Sequence, residues 1–343
     1  MQFINREQEK KDLIAHLETE PNAILFLYGP KSCGKTSLIN NVINNKLDKK
    51  KFDIKYINFR NILMTEYQDF INVFFRDVFV EKNEREIEEI RKYNLGIFSL
   101  DVSDKQKILE KKLNPFEVMT KKLRNIADSN LRPIIIIDEI QTIKDMLISE
   151  NKSLISELFN YFVSLTKEMH LAHVVILTSD SYFIEDIYSN AKLSKTSNFY
   201  LVNHLEKAEI IKWLSQKEYN FSQEDIDYIW EKFGGSAWEI WELIKYLKSD
   251  LSLKEAVQKN IEELQGKLWD FYDNKLDRDL RSDFKKVSCE LADKGVYKIR
   301  DEDNLSSLIR EAVEKDFWFY NASKRSIIPN SKSIQNVFKE IFK

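Results

Sequence analysis

The segment Ala23 to Asn45 constrains this chain more than any other. It runs from a short apolar stretch, Ala23 to Tyr28 (AILFLY), through Gly29-Pro-Lys-Ser-Cys-Gly34-Lys35-Thr36 into Thr36 to Asn45 (TSLINNVINN), which reads as a helix start. The middle fits G-x-x-x-x-G-K-[ST] at every fixed position, and strand, glycine loop and helix in that order are the setting in which this pattern cradles phosphate. The two glycines let the backbone close around phosphate oxygens. Loop N–H groups and the helix N-terminus offer partial positive charge to the anion. Gly29, Pro30, Lys31, Ser32, Cys33, Gly34, Lys35, Thr36 and Ser37 are therefore the expected binders. Lys35 would reach the β- and γ-phosphates, and the Thr36 hydroxyl would bind Mg²⁺.

About a hundred residues further on comes Ile134-Ile-Ile-Ile-Asp138-Glu139. Four consecutive isoleucines suit a strand buried on both faces of a parallel sheet. Two carboxylates at its end are expensive unless they emerge at the sheet's C-terminal edge, where ligands of α/β folds lie. Asp138 would then hold Mg²⁺, and Glu139 would polarise an attacking water if nucleotide is hydrolysed. The fold class expected is α/β, a P-loop core whose parallel sheet is sandwiched by helices.

Bulk properties set few further limits. The 343 residues suffice for two or three domains, and 43% hydrophobic with 32% charged content suits a globular protein. Seven glycines and five prolines argue against long disordered linkers. No 18-residue apolar run predicts a membrane span, and MQFINREQEKKDL lacks the apolar core of a signal peptide. Cys33 and Cys289 make neither a disulfide framework nor a zinc site, which fits a reducing cytoplasm. His16, His170, His173 and His204 form no metal-spaced cluster. A net charge of -3 gives no global pull toward nucleic acid.

Along the chain, Asn5 is a plausible cap for a helix that buries Leu13, Ile14 and Leu17. Asp53 to Phe59 alternates as a strand, and Tyr67 to Val80 carries aromatics at helical spacing. Residues 81–112 are dense in charge around an apolar island, Leu95 to Leu100. They read as an inserted stretch of exposed helix and loop, either a solvated surface or a partner-binding arm. Pro115 to Asp128 reads as a helix with proline in its first turn, and Leu154 to Lys167 as another helix. His173 to Leu177 is a buried strand ending at Thr178-Ser179-Asp180, a γ-phosphate sensor or a simple cap. Tyr200 to Val202 reads as the last core strand. Residues 205 to 265 look helical. Phe284 to Asp293 and Leu305 to Lys315 are expected helices. Phe317 to Asn321 and Ser326 to Pro329 form an expected hairpin, and a final helix starts at Ser331. This arrangement suggests a winged helix at 266–343, after a core at 1–202 and a helical segment at 203–265.

Five features together resemble the archaeal ATPase family, P-loop proteins akin to AAA+ and to the signal-transduction ATPases with numerous domains. They are Phe3-Ile-Asn-Arg6-Glu7, the glycine loop, Tyr56-Ile-Asn-Phe-Arg60, Asp138-Glu139-Ile-Gln141 and Gly234-Gly235-Ser236-Ala237-Trp238. The resemblance covers most of the chain, most weakly at 81–112. It implies ATP or ADP with Mg²⁺ as cofactors, an N-terminal box including Arg6 near the adenine, and a lid that reports nucleotide state. Ala237 stands where the family often has proline, and Asp180 where signalling relatives often have arginine. No arginine finger is therefore assigned; Arg60, at a strand end, is the candidate within one subunit, a surface role being the alternative.

The function expected is an ATP-driven switch, hydrolysing ATP and moving the C-terminal module relative to the core. The alternative is an ATPase that contacts duplex DNA through the winged helix, using Lys324, Arg325, Lys332, Lys339 and Lys343. Nearby Asp301-Glu302-Asp303 and Glu314 to Asp316 leave that domain almost charge-balanced, whereas a DNA reader usually has a basic face. A small-molecule kinase is disfavoured by Glu139 and the long helical C-terminal half. An unidentified protein partner is expected; the sequence does not fix the oligomeric state.

Overall fold

Four isoleucines in a row cannot alternate between core and solvent, and here Ile134 to Ile137 are all fully buried. In this computed structural model, residues 6–343 are described except 49, 62, 64, 78–97, 101, 111, 151, 190–192, 217–218, 250 and 302. The isoleucines form the middle of β5 (Arg132–Asp138), in a five-stranded sheet with β1 (Ile24–Tyr28), β2 (Phe52–Asn58), β8 (His173–Thr178) and β9 (Ser197–Leu201). The order is β2-β5-β8-β1-β9, and every pairing is parallel.

Side-chain alternation along the strands splits the core into two layers. Phe26, Ile135, Ile137, Val174 and Ile176 face the helices Tyr67–Phe74, Pro115–Asp128 and Leu154–Val163. Leu25, Leu27, Ile134, Ile136, Val175 and Leu177 face Glu7–Glu18 and Lys35–Asn45. Leu13 and Leu17 are buried in that second layer, with Ile14 packed at its edge. Asn114 caps Pro115–Asp128 by accepting from the Phe116 N–H at 3.0 Å.

Two sequence expectations change. The aromatic helix expected to Val80 stops at Phe74, and Phe75–Asp77 instead forms β3, which pairs in parallel with β4 (Phe98–Leu100). The aromatic run suits a strand as well as a helix, and a pairing partner decides. In the segment expected to be an exposed insertion, Phe98 and Ile108 are buried in the first layer, with Ile108 on the helix Val102–Leu109. Phe3, Ile4, Asn5 and residues 81–97 lie outside the described residues. Leu154–Val163 continues as a wider turn, Ser164–Glu168, with i→i+5 character. A small pair, β6 (Leu147–Ser149) and β7 (Lys152–Ser153), leads into it.

Beyond residue 202 lie the helices Lys207–Leu214, Gln223–Phe233, Ala237–Leu247 and Leu253–Trp269. Ser222 and Ser252 start two of them with reciprocal capping boxes to Asp225 and Glu255. The helices Arg278–Lys294 and Ser306–Glu314 follow. A three-stranded antiparallel sheet orders β10 (Tyr297–Lys298), β12 (Ser326–Pro329) and β11 (Trp318–Asn321) as β10-β12-β11, before the last helix Lys332–Phe342. One hydrophobic core runs from Leu205 to Phe342 through both sets of helices. The expected division at 265/266 therefore falls inside the helix Leu253–Trp269. Gly235 shows why the paired glycines are needed: a Cβ there would sit 1.8 Å from the Leu205 carbonyl oxygen. Among the described residues, no helix is long and apolar enough to cross a membrane.

His173 opens β8, fully buried, donating from Nε2 to the Thr19 carbonyl at 3.1 Å. Its Nδ1 has no partner, and His16 and Arg132 are the ionisable groups nearby. Burial, reinforced by His16, pushes the imidazole down from 6.5 to about 4. The folded state thus resists a proton that the unfolded chain accepts. Stability from His173 is complete above pH 6.5 and is lost as pH falls toward 4. Between pH 7 and 5 this removes about 2 kcal/mol. Urea titrations should show His173→Asn losing about 2 kcal/mol less than the wild type between pH 7 and 5; equal losses would refute it.

Candidate functional site

The strand register brings the chemistry to one edge. Tyr28 lies opposite Thr178, while Asp138 lies opposite both Asn58 and Leu177. The loops after β1, β2, β5 and β8 therefore converge at the C-terminal ends of the strands. There a cavity of about 550 Å³ is lined by Lys31 to Ser37, Arg6, Arg60, Glu139, Ser179, Leu205, Ala237 and Trp238, and by four asparagines of the helix Lys35–Asn45.

Gly29 and Pro30 stand behind that lining. Their carbonyls accept from Lys35 Nζ at 2.9 and 3.0 Å, and Cys33 Sγ accepts at 3.7 Å. Gly34 turns the loop into the helix at φ 97, a left-handed value that favours glycine. Arg6 is buried and fastens the loop from the side. One guanidinium nitrogen donates to the Cys33 carbonyl at 2.5 Å and to the Asn203 carbonyl at 2.8 Å. Another pairs with Glu9 at 2.8 Å.

Asp138 lies behind Thr36. The Thr36 hydroxyl donates to Asp138 Oδ2 at 2.7 Å, and the Tyr56 hydroxyl donates to the same oxygen at 3.0 Å. Burial pushes the Asp138 carboxyl up, against the pull of those two hydroxyls. Burial and the Asp138 charge raise the Tyr56 phenol, so it remains a donor. The Thr36 hydroxyl and the carboxylate are adjacent hard oxygen ligands, the donor type Mg²⁺ takes, usually keeping several waters. The residues present fit that ion.

Glu139 adopts φ 60, uncommon outside glycine and asparagine. Its carboxylate is held on both oxygens: Oε1 pairs with Arg60, and Oε2 accepts from Gln141 at 2.6 Å. Thr178 in turn donates to Gln141 Oε1 at 2.9 Å. Arg60, the sequence candidate for an arginine finger, thus meets the carboxylate expected to polarise water. Of the strand-end triplet, Ser179 reaches the cavity, while Asp180 accepts from the N–H groups of Tyr182 and Phe183 at 3.0 Å each, as a helix cap does.

Sequence reasoning missed the C-terminal side of the site. The Lys31 N–H donates to Asn330 Oδ1 at 3.3 Å, and its ammonium pairs with Asp316. His204, driven down to about 4 by burial, donates to the Asn330 carbonyl at 2.7 Å. Glu239, next to the cavity residue Trp238, accepts from Ser331 at 3.0 Å and from Ser333 at 2.6 Å. Burial raises its carboxyl, which those serine hydroxyls oppose. No local motif marks these residues. The asparagines at 40, 41, 44 and 45 were missed as well, although their spacing on a helix puts them on one face.

A family model described as an ATPase domain predominantly from Archaea matches residues 3–243. An uncharacterized ATP-binding protein of Methanocaldococcus jannaschii is 36% identical, covering 99% of this chain and 96% of its own length. A second from that organism is 37% identical over 90% and 85%. Among solved structures, a Walker-type ATPase of Pyrococcus abyssi superposes with a TM-score of 0.66 at 14% identity, covering 98% of this chain and 96% of that one. The ORC2 protein of Aeropyrum pernix, solved in ADPNP and ADP complexes, gives 0.51 at 12% identity over 98% and 93%. At such identities these two matches concern the fold.

Proposed function

The chain belongs to the family of ATPase domains found predominantly in Archaea, and from that premise we propose that it binds Mg-ATP in this cavity and hydrolyses it as a switch read by the C-terminal module. Lys31 to Thr36 take the phosphates, with Lys35 leaving the loop carbonyls for the β- and γ-oxygens. Thr36 and Asp138 hold Mg²⁺, which when bound neutralises charge on those oxygens. Glu139, released from Arg60, orients the attacking water. The names of the Methanocaldococcus relatives support ATP as the nucleotide.

One observation carries the coupling: a residue of the phosphate loop is held by the C-terminal module. Asn330 occupies the Lys31 amide, and Asp316 occupies its ammonium. Phosphate draws on the same groups, so nucleotide and docked module compete for the loop, and their affinities are linked. Glu239 extends the link by joining the cavity wall at Trp238 to Ser331, which caps the last helix. We read the module as a winged helix from its helices and its β10-β12-β11 sheet.

Cutting at 265/266 would sever a helix and open a shared core, so point variants test the coupling better. Asp316→Ala with Asn330→Ala is expected to tighten ATP binding about three- to tenfold, the scale of one lost hydrogen bond plus a partly exposed ion pair. Calorimetric affinity and turnover both within twofold of wild type would refute the link. DNA binding finds little support here. At the hairpin Arg325 pairs with Asp301, Lys298 donates to the Lys324 carbonyl, and Lys343 pairs with Asp293.

A further inference from the structure

Tyr56 sits on β2 in register with Ile136 of β5. Ile136 and Asp138 are two apart on their strand and so share a face. Tyr56 therefore lies on the same side of the sheet, diagonal to Asp138. It packs against the layer that the helix Lys35–Asn45 covers. A long aromatic side chain reaches across such a diagonal, and the Tyr56 hydroxyl meets Asp138 Oδ2 at 3.0 Å. Asn58, directly opposite Asp138, instead accepts from the Arg60 N–H at 2.9 Å.

The Thr36 hydroxyl donates to that same Oδ2 at 2.7 Å. A hydroxyl has one proton and two lone pairs. With its proton committed to Asp138, Thr36 presents its lone pairs to a cation. The commitment lasts only while Oδ2 keeps its place, and the terminal torsion of an aspartate is soft. Two donors converging on one oxygen fix that torsion. Thr36 alone is a weak clamp, because it is the group the ion draws on. Tyr56 is anchored in the sheet and is not among the residues lining the cavity, so it has no such second task.

We propose that Tyr56 is a positioning residue that makes the site prefer Mg²⁺ over the larger Ca²⁺ by locking Asp138 against Thr36. Mg²⁺ demands near-ideal octahedral geometry, whereas Ca²⁺ takes more oxygens at longer and more variable distances. A carboxylate held in one orientation serves the demanding ion, and one free to turn serves the tolerant ion equally well. A phenol that merely needed an acceptor for its own proton would leave the choice of ion untouched. This rests on the Mg-ATP reading above.

The test is titration calorimetry of ATP on the full chain in saturating Mg²⁺, in saturating Ca²⁺ and in EDTA, with inorganic tripolyphosphate in EDTA as a probe of the loop alone. The wild type should bind ATP more tightly with Mg²⁺ than with Ca²⁺. Tyr56→Phe keeps the ring and removes only the hydroxyl. It should weaken ATP binding in Mg²⁺ by about tenfold, the scale of a lost partner behind a metal ligand. Binding in Ca²⁺ should stay within about twofold, since that ion tolerates a turned carboxylate, and both EDTA arms should be unchanged. Equal losses in Mg²⁺ and Ca²⁺, or no loss in Mg²⁺, overturn the proposal, and so does an equal loss in EDTA, which would mean a distorted loop. Equal wild-type affinity with the two ions overturns it without any variant. ATP binding in the wild type that ignores both ions, or no ATP binding at all, sinks the Mg-ATP reading itself, and this inference with it.

Discussion

Lys35→Ala is expected to lower Mg-ATP affinity by at least about a hundredfold, since an ammonium makes charge-assisted bonds to phosphate that no neighbour replaces. Lys35 sits buried against the Gly29 and Pro30 carbonyls and at the cavity wall. Those carbonyls hold it poised, and the ligand's oxygens compete for the same protons. Removing the ammonium also leaves the two carbonyls without this donor, costing about 1–3 kcal/mol of stability. Binding is therefore to be measured well below the variant's melting temperature. Thr36→Ala should instead lose the Mg²⁺-dependent part of affinity, because its hydroxyl belongs with Asp138 and not with the phosphates directly. Unchanged Mg-ATP affinity in Lys35→Ala would sink the assignment.

Glu139→Gln is expected to keep ATP binding and to slow turnover on the order of a hundredfold or more, the scale of a positioned base. The substitution preserves the length of the side chain and removes its charge. In the structure that charge is engaged by Arg60 and Gln141. The Arg60 side chain is more than half exposed, so the pair contributes at most about 1 kcal/mol and opens readily. On the proposed reading, the carboxylate would stay held aside until the γ-phosphate and its water draw it over. Single-turnover assays with saturating ATP separate this from a binding defect. Wild-type turnover in Glu139→Gln would make the residue structural, or show that another group orients the water.

What was legible in the sequence was what repeats at short range. A six-residue apolar run, two glycines at fixed spacing and a helix start define the phosphate loop within a few residues of one another. Four isoleucines define the central strand because burial on both faces removes alternation. Ser331 marks a helix start because a cap satisfies N–H groups two or three residues away. The sandwiched parallel sheet follows from such signals. The aromatic segment after Tyr67 did not, since its residues suit helix and strand equally and only pairing with Phe98–Leu100 turns Phe75–Asp77 into a strand.

The site's outer partners could be decided only in three dimensions. Lys31 and Asn330 are 299 positions apart, and Lys31 and Asp316 are 285 apart. No periodicity or cap reaches across such separations. Lys31 looks like any variable position of the motif until folding places the C-terminal module against it. The same holds for Arg60 and Glu139, which come together because β2 and β5 are neighbours in register. Local chemistry in the sequence determined that a phosphate loop forms, and tertiary packing alone decided which side chains hold it, because only the packed cores bring those distant segments within hydrogen-bonding distance.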